Sequence, residues 1–325
     1  MDKEPKVVVI GGGTGLSVLL RGLKKFPLTI SAIVTVADDG GSTGKLRDLF
    51  EIPAPGDIRN VMVSLSEVEP LIEKLLQYRF KTGGLEGHAM GNLLLTAVAD
   101  ITGNMVDGIE ALSKILNVKG RILPLTNESV TLCAEFEDGS VVEGESHLSK
   151  TEKKIKKVFY KENVSAYGET IKALEEADYI IFSIGSLYTS IIPNLLIDEV
   201  RDILSKSKAK KIYVCNAMEQ PGETVDYKVS DHINSINNHC NHNIIDYVIV
   251  NDDEIPKDVL DKYRLDGVKP VEIDEININN LNIELAKHRI IEINKTREVR
   301  HNSIRLASVI YSKILDWEYK SYELP

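Results

Sequence analysis

Glycine-rich turns follow several apolar segments of this chain, and such turns are suited to binding phosphate. The first follows the apolar run Val7–Ile10 and consists of Gly11–Gly15, after which leucines continue at helical spacing. Glycine lets the backbone approach an anion, and the first N–H groups of the following helix point at it with the helix dipole behind them. This turn predicts a nucleotide phosphate site at Gly12, Gly13, Thr14 and Gly15.

The spacing of this turn does not identify the nucleotide. In the dinucleotide fingerprint G-x-G-x-x-G, counted from Gly11 and Gly13, Leu16 stands where the last glycine should be. The spacing therefore does not imply NAD, although NAD remains an acceptable occupant of a diphosphate pocket. The alternative that the glycines serve only close packing of a strand on a helix stays open.

Two carboxylates, Asp38 and Asp39, end the second apolar segment and begin another glycine-rich loop that contains Ser42. The loop is not a Walker A motif, because Asp39 occupies the position of the leading glycine and Leu46 replaces the required serine or threonine. Carboxylates at a strand end accept ribose hydroxyls, hold a divalent cation or take a proton. The sequence leaves these three roles open, beside a plain surface turn.

His88 and Asn92 lie four residues apart in a third glycine-rich segment, on one face if this segment is helical. Glycines clear space around the imidazole, so His88 joins Asp38 and Asp39 as a candidate catalytic residue, and Asn92 is a candidate binding residue. A purely structural histidine is the alternative. No metal-binding partner is spaced near His88, so the pattern does not support a zinc site.

Three later segments add candidate ligand donors. The loop Ser183–Ser190 follows a short apolar run, Asn216 follows another, and Arg300 with His301 stands just before the last amphipathic helix, where an anion is favoured. The candidate binding residues in these segments are Gly185, Ser186, Tyr188, Asn216 and Arg300.

The elements that position these residues alternate between strands and helices. Five apolar strands each end in a polar or glycine-rich loop, which predicts an α/β fold with a doubly wound, mainly parallel, Rossmann-like sheet. We expect a single domain over 1–325, with a helical insertion at about 57–118 and a β-hairpin excursion at about 121–148 around Asp138-Gly139.

Several local expectations complete this prediction. Asp57 is expected to cap the helix that it begins, and the lysine-rich segment Lys150–Lys161 is expected to be a solvated basic face. The asparagine-rich segment Ile276–Asn282 is expected to be a loop.

Composition narrows the function classes. The formal net charge of −10 argues against nonspecific nucleic-acid binding, and no apolar run approaches the about 20 residues that span a membrane. The three cysteines lack C-x-x-C spacing and are expected to be reduced thiols, so we expect a cytoplasmic protein without membrane insertion. The large apolar helical segment Ile58–Val118 favours a homodimer.

Taken in order, the motifs of this chain resemble those of the bacterial gluconeogenesis factor family (YvcK-like), which is related to 2-phospho-L-lactate transferase (CofD-like). The motifs that carry the resemblance are Gly11–Gly15, Ala37–Gly44, Pro55–Asn60, Gly87–Asn92, Gly185–Ser190 and Gln220–Thr224. One departure is Ser183-Ile184, where the family usually has Gly-Pro before Gly-Ser.

The resemblance implies a cytoplasmic protein that binds UDP-sugars such as UDP-N-acetylglucosamine or UDP-glucose. It also implies a role in cell shape and wall synthesis during growth on gluconeogenic carbon sources, with no required cofactor and no known reaction. The alternative is a phosphotransferase that uses a nucleotide-activated donor, in which Asp38 would hold Mg²⁺.

Overall fold

A parallel sheet of seven strands forms the centre of the structure. The computed structural model describes residues 4–148, 150–151 and 153–323, without the side chains of residues 321–323. The strands of the large sheet are Lys6–Gly11 (β1), Thr29–Val34 (β2), Arg121–Pro124 (β3), Tyr179–Phe182 (β7), Lys210–Val214 (β8), Tyr247–Asn251 (β9) and Glu284–His288 (β10). The other strands are Leu132–Phe136 (β4), Val141–Glu143 (β5), Ile155–Tyr160 (β6), Ile291–Ile293 (β11) and Val299–His301 (β12).

The strand order of the large sheet is β10-β9-β8-β7-β1-β2-β3, and every adjacent pair is parallel. Val7, Val8, Val9 and Ile10 of β1 are all buried, as expected for a central strand that helices cover on both faces. The chain order reverses between β1 and β7, and the carboxyl ends of strands at such a switch point form the usual ligand crevice. The predicted α/β doubly wound fold is confirmed.

Thirteen α-helices surround the sheets within the described residues. They are Gly13–Leu23 (α1), Gly41–Phe50 (α2), Pro55–Leu65 (α3), Pro70–Gln77 (α4), Met90–Thr102 (α5), Met105–Ile115 (α6), Glu145–Leu148 (α7), Gly168–Glu175 (α8), Asp198–Lys206 (α9), Val229–Cys240 (α10), Lys257–Leu265 (α11), Glu275–Asn280 (α12) and Ser303–Glu323 (α13). Helix α12 shows that the loop expected at Ile276–Asn282 was wrong, because the buried side chain of Ile278 anchors a helical turn there.

Five helices, α2 to α6, lie in the connection between β2 and β3 and form the helical insertion. The hairpin at Asp138-Gly139 joins β4 to β5, and β6 adds a third strand in the order β5-β4-β6. Arg121–Pro124, which the sequence placed in the excursion, instead pairs with β2 in the large sheet. Strand β6 occupies much of the lysine-rich segment, and its Lys156 and Lys157 pair with Glu135 of β4.

None of the helices in the described part of the chain is long and apolar enough to cross a membrane.

Candidate functional site

A cleft of about 480 Å³ lies at the carboxyl edge of the sheet, beside the switch point between β1 and β7. Volumes of this order are typical of sites for small ligands and cofactors. The lining residues are Gly12, Gly13, Thr14, Gly15, Val18, Glu145, Ile184, Gly185, Ser186, Thr189, Ser190, Asn216, Gln220, Glu223, Val299, Arg300 and His301. Eight of the predicted binding residues therefore share one cleft: Gly12, Gly13, Thr14, Gly15, Gly185, Ser186, Asn216 and Arg300.

The glycine turn between β1 and α1 forms one wall of this cleft. Gly13 has a φ of +63°, a left-handed conformation that favours glycine. A Cβ on Gly13 would lie 3.6 Å from Oγ of Ser190, so the two walls approach each other closely here. The N-cap of helix α1 is Gly12, which has no side chain to cap the helix. The N–H groups of the first turn of α1 lie at the cleft.

Asp57 also reaches this turn. Its carboxylate accepts a hydrogen bond from the backbone N–H of Gly13, and a Cβ on Gly12 would lie 2.6 Å from its Oδ2. Asp57 lies in the first turn of α3, where Ala54 is the N-cap and makes no side-chain cap bond. The prediction that Asp57 caps its own helix was therefore wrong, because its carboxylate contacts the neighbouring helix α1.

Part of the glycine cluster serves packing. A Cβ on Gly15 would clash with the backbone carbonyl of Ile184, and a Cβ on Gly11 would clash with Oγ of Ser183. These two glycines let the end of β1 lie directly against the segment after β7. The packing alternative thus describes Gly11 and Gly15, whereas Gly13 faces the cleft.

The opposite wall is the loop that contains Gly185, and Asn216 holds it in place. The amide of Asn216 accepts a hydrogen bond from the Gly185 N–H at 3.2 Å and donates one to the Gly185 carbonyl at 2.7 Å. Asn216 follows β8, so this reciprocal pair ties the loop after β7 to the end of the neighbouring strand. Both polar atoms of the Asn216 side chain are engaged, which makes it a positioning residue.

Glu223 fixes the next residues of the same wall. Its buried carboxylate accepts hydrogen bonds from the Ser186 hydroxyl and from the backbone N–H of Tyr188, and Gln220 Nε2 donates to its Oε1 at 2.9 Å. Ser186 caps a turn of π-helix, Leu187–Ile191, by accepting from the N–H of Thr189 at 3.1 Å. Burial raises the pKa of Glu223, so these donors offset part of the cost of its charge.

Tyr188 does not line the cleft, although the sequence placed it among the binding residues. Its side chain is buried, and its hydroxyl hydrogen-bonds the hydroxyls of Tyr227 at 2.7 Å and Ser235 at 3.1 Å. The assignment of a ligand donor to the Tyr188 side chain was wrong, because the aromatic ring is part of the core beneath the loop.

Arg300 and His301 enter from β12 and close the cleft at its rim. Arg300 is exposed and pairs with Glu298 at 2.9 Å, so its guanidinium lies at the solvent-facing edge. Burial lowers the pKa of His301 to about 4, so the ring is neutral at pH 7. The ring hydrogen-bonds the backbone of Cys215, and Nε2 is buried without a hydrogen-bond partner among the described residues.

Three carboxylates approach one another behind the glycine turn. Burial and the charge of Asp38 raise the pKa of Asp57 to about 6, and the same two causes raise the pKa of Glu145 to about 7. Asp38 itself accepts a hydrogen bond from the Gly40 N–H at 2.8 Å. The described residues contain no group of three or more histidine, cysteine or acidic side chains arranged to hold a metal ion.

Asp39 points away from these carboxylates toward the excursion. Its Oδ1 accepts a hydrogen bond from the backbone N–H of Ser146 at 2.8 Å, in the first turn of α7. This contact connects the loop after β2 to the small sheet and places Glu145 of the same helix at the cleft. Asp39 therefore has a structural partner, and it does not line the cleft.

Ser42, His88 and Asn92 form a separate polar group. Oγ of Ser42 lies 3.0 Å from Nδ1 of His88, and Nδ2 of Asn92 donates to the same oxygen at 3.4 Å. The structure thus brings the loop after β2 together with the segment that contains His88 and Asn92, but none of these three residues lines the glycine-turn cleft.

Comparison with known proteins places the chain in a family. A family model for 2-phospho-L-lactate transferase CofD matches residues 7–291. The gluconeogenesis factor of Bacillus subtilis (strain 168) is 47% identical over 312 residues, which are 95% of this chain and 98% of the relative. The gluconeogenesis factor of Halalkalibacterium halodurans is 47% identical over 311 residues, which are 95% of this chain and 96% of the relative.

The chain belongs to the CofD family, among the gluconeogenesis factors. A crystal structure of a UPF0052 family protein from Bacillus halodurans has the same fold, with a TM-score of 0.91 and 47% identity over 94% of this chain and 99% of that one.

Several residues that line the cleft have no distinctive pattern in the sequence. The sequence patterns single out neither Glu145 nor His301 as a ligand, and Glu223 belongs only to a motif of the family resemblance. No local sequence pattern points to Glu145. It lies at the cleft because the next residue, Ser146, donates a backbone hydrogen bond to Asp39, which is distant in the sequence. For His301, the indication of a role in the cleft is that it directly follows the candidate residue Arg300.

Proposed function

We propose that this protein binds a nucleoside-diphosphate sugar, such as UDP-N-acetylglucosamine or UDP-glucose, in the glycine-turn cleft. We further propose that it acts as a cytoplasmic regulator of cell shape and wall synthesis on gluconeogenic carbon sources, and that binding rather than catalysis is its role. The observation that carries the proposal is the close approach of two donor-rich backbone turns across one cleft, at Gly13 and Ser190.

A diphosphate suits the donors on these two walls. The first turn of α1 offers N–H groups and a helix dipole, Ser190 offers a hydroxyl, and Arg300 adds a positive charge at the rim. A nucleotide also brings hydroxyl groups, and Nε2 of His301 is a buried atom on this wall that lacks a partner among the described residues. A hydrogen bond from a ligand hydroxyl would remove the free-energy cost of leaving Nε2 buried and unpaired.

The carboxylates behind the turn make the binding pH-dependent. Asp57 and Glu145 have raised pKa values of about 6 and about 7, so they already carry protons in part near neutral pH. A bound diphosphate adds negative charge beside them and raises both pKa values further. Binding should therefore take up protons, which calorimetry detects as a dependence of the heat on the ionisation enthalpy of the buffer.

Calorimetry with UDP-N-acetylglucosamine, UDP-glucose and NAD tests the proposal. We expect saturable binding of the UDP-sugars, and a Gly13→Val variant should lose it because the side chain would enter the cleft at a positive φ. Gly84→Ala is the matched control, since Gly84 is exposed and a Cβ there meets nothing within 4 Å. Absence of binding by all three nucleotides overturns the proposal.

A phosphotransferase is the second candidate, and the pKa of Asp57 favours it. A carboxylate with a pKa of about 6 beside a phosphate-type turn can accept a proton from an acceptor hydroxyl at neutral pH. The nearby Asp38 is the residue that would hold Mg²⁺. We expect Asp38→Asn to remove turnover of a nucleotide-activated donor while nucleotide affinity persists. Failure to form product with a broad acceptor panel would exclude this activity.

A further inference from the structure

The two walls of the glycine-turn cleft are joined by one buried side chain, that of Asn194. Asn194 lies in a turn of 3₁₀-helix, Ile192–Leu195, which directly follows the turn of π-helix that contains Ser190. Its Nδ2 donates to the carbonyl of Ser190 at 2.8 Å and to the carbonyl of Gly11 at 3.3 Å. Gly11 ends β1 and begins the glycine turn, whereas Ser190 lines the opposite wall. One amide group therefore connects the two walls.

The carbonyl of Gly11 is also the contact point of a third segment. It accepts a hydrogen bond from the backbone N–H of Thr35, which follows β2, at 3.0 Å. The side chain of Thr35 packs against the next residue of the glycine turn, since a Cβ on Gly12 would lie 2.6 Å from its Cγ2. The glycine turn is thus held by Thr35 as well as by Asn194, which leaves it little freedom to move relative to Ser190.

The small sheet fixes the turn that carries Asn194. The hydroxyl of Tyr160, in β6, donates to the carbonyl of Pro193 at 3.0 Å. Burial raises the pKa of Tyr160, so the hydroxyl keeps its proton and continues to donate at neutral pH. Because Pro193 immediately precedes Asn194, this contact limits the movement of the amide that joins the walls.

The chemistry of Asn194 indicates that it holds the walls rather than merely filling the core. The residue is 1% exposed, and its Oδ1 is buried without a hydrogen-bond partner among the described residues. A buried unpaired acceptor costs free energy, and a leucine of similar size would avoid that cost. What the asparagine provides, and a leucine cannot, is the Nδ2 donor that contacts both walls.

The walls that Asn194 joins come close together at Gly13 and Ser190. A Cβ on Gly13 would lie 3.6 Å from Oγ of Ser190, so there is no room for a phosphate between these two residues. A ligand must therefore lie across the line where the walls meet. It then faces the first turn of α1 on one side and the hydroxyl of Ser190 on the other. A monophosphate supplies one anionic group for these two sets of donors, and a diphosphate supplies two.

We propose that Asn194 is a positioning residue that sets the distance between the two walls, and that this distance suits a ligand with two adjacent phosphates. One phosphate lies at the first turn of α1 and the next at Ser190, so a diphosphate contacts both walls at once. Asn194 is buried and acts through the carbonyls of Gly11 and Ser190 rather than by touching the ligand. The proposal rests on the proposed function, since it takes the nucleoside-diphosphate sugar as the ligand of this cleft.

Asn194→Leu tests the proposal, because it keeps the volume of the side chain and removes the donor to both walls. We expect UDP-N-acetylglucosamine binding to weaken about tenfold in calorimetry, since walls that are mobile must be ordered when the ligand binds. The weaker binding of UMP, which lacks the second phosphate, should hardly change. Asn237→Leu is the matched control, because Asn237 is also a buried asparagine, 5% exposed, but lies on α10 and does not line the cleft.

Hydrogen exchange without ligand gives a second readout that does not depend on what the cleft binds. We expect faster exchange at the amides of Gly13 and Ser190 in Asn194→Leu and no such change in Asn237→Leu. Tyr160→Phe keeps the aromatic ring and removes the donor to Pro193. This variant should change both the exchange and the UDP-N-acetylglucosamine affinity in the same direction by a smaller factor, and it replaces Asn194→Leu if that protein does not fold.

Equal losses of affinity for UDP-N-acetylglucosamine and UMP would make Asn194 an ordinary core residue and overturn the proposal. Equal effects of Asn194→Leu and Asn237→Leu would overturn it as well, and so would unchanged exchange at Gly13 and Ser190. If the parent protein binds no nucleotide, the proposed function and the preference for a diphosphate both fail. The exchange measurement then decides by itself whether Asn194 holds the walls together.

Discussion

The carboxylate of Asp57 lies directly against the glycine turn, such that a Cβ on Gly12 would be 2.6 Å from its Oδ2. This contact brings a side chain of α3 to the start of α1. The cleft wall and the carboxylate group behind it are therefore parts of one packed unit, and a change on one side alters the other.

Gly12→Ala should lower both stability and ligand affinity. The new methyl group would also lie 2.6 Å from Cγ2 of Thr35, so neither neighbour leaves room. Overpacking of this kind costs about 1–3 kcal/mol. Thermal unfolding and calorimetry measure the two effects, with Gly84→Ala as the control. An unchanged melting temperature in Gly12→Ala would contradict the contact.

Glu145→Gln should stabilise the protein at pH 8 and have little effect at pH 5. The folded pKa of Glu145 is about 7, above its ordinary value of 4.5, so the folded protein favours the protonated form. The stability linked to this proton is present at low pH and is lost as pH rises through 7. Since each pH unit between 4.5 and 7 corresponds to about 1.4 kcal/mol, the gain at pH 8 should be about 3 kcal/mol.

Denaturant unfolding of both proteins at the two pH values measures this difference. The variant must be compared with the parent protein at each pH because His232 and His301 also make stability depend on pH. Burial lowers their pKa values to about 4, so they reduce the stability of both proteins as the pH falls below 6.5. Glu86→Gln, at an exposed position, should show no such difference. An equal gain from Glu145→Gln at both pH values would refute the assignment.

Arg300→Gln should weaken binding of UDP-N-acetylglucosamine about tenfold and make the remaining affinity less sensitive to salt. Its guanidinium is the positive side chain at the rim of the cleft among the lining residues. Calorimetry at two salt concentrations gives both quantities. Arg297→Gln is the control, because Arg297 is exposed and pairs with Asp258 instead. Equal losses from the two variants would argue for a general charge effect.

Asn216→Ala should loosen the wall around Gly185 while the fold persists. The variant removes both hydrogen bonds that hold this glycine, and a mobile wall must be ordered again when a ligand binds. We expect faster hydrogen exchange at the amides of Gly185 and Ser186, with weaker UDP-sugar binding. Unchanged exchange together with weaker binding would instead make Asn216 a direct ligand contact.

The homodimer expected from the sequence leads to a prediction on the helical insertion. Leu71 of α4 and Ile101 of α5 are exposed by 74% and 82%, so both side chains are accessible to a second copy of the chain. If this face forms the dimer, Leu71→Asp with Ile101→Asp should yield a monomer in light scattering, whereas Leu265→Asp, on α11, should not. A monomeric parent protein would dismiss the homodimer.

Local patterns predicted the sheet and the glycine turns, because a continuous apolar run followed by glycines is typical of a buried parallel strand and the turn that follows it. The failures involve long-range contacts. The partner of Asp57 is Gly13, 44 positions away in the chain, and the ring of Tyr188 turns into the core because Tyr227 and Ser235 offer partners there. The division of the candidate residues between the cleft and the group of Ser42, His88 and Asn92 likewise depends on how α2 packs against the start of α5.

The walls of the cleft come from positions as far apart as Gly12 and His301. During protein synthesis, the phosphate turn therefore emerges from the ribosome long before the strand that carries Arg300. A nascent chain that ends after β9 has the glycine wall and the Asn216 clamp but lacks the closing rim. We expect the ligand to act on the completed protein and to give no assistance to the early stages of its folding, which ligand titration of ribosome-bound chains of increasing length can check.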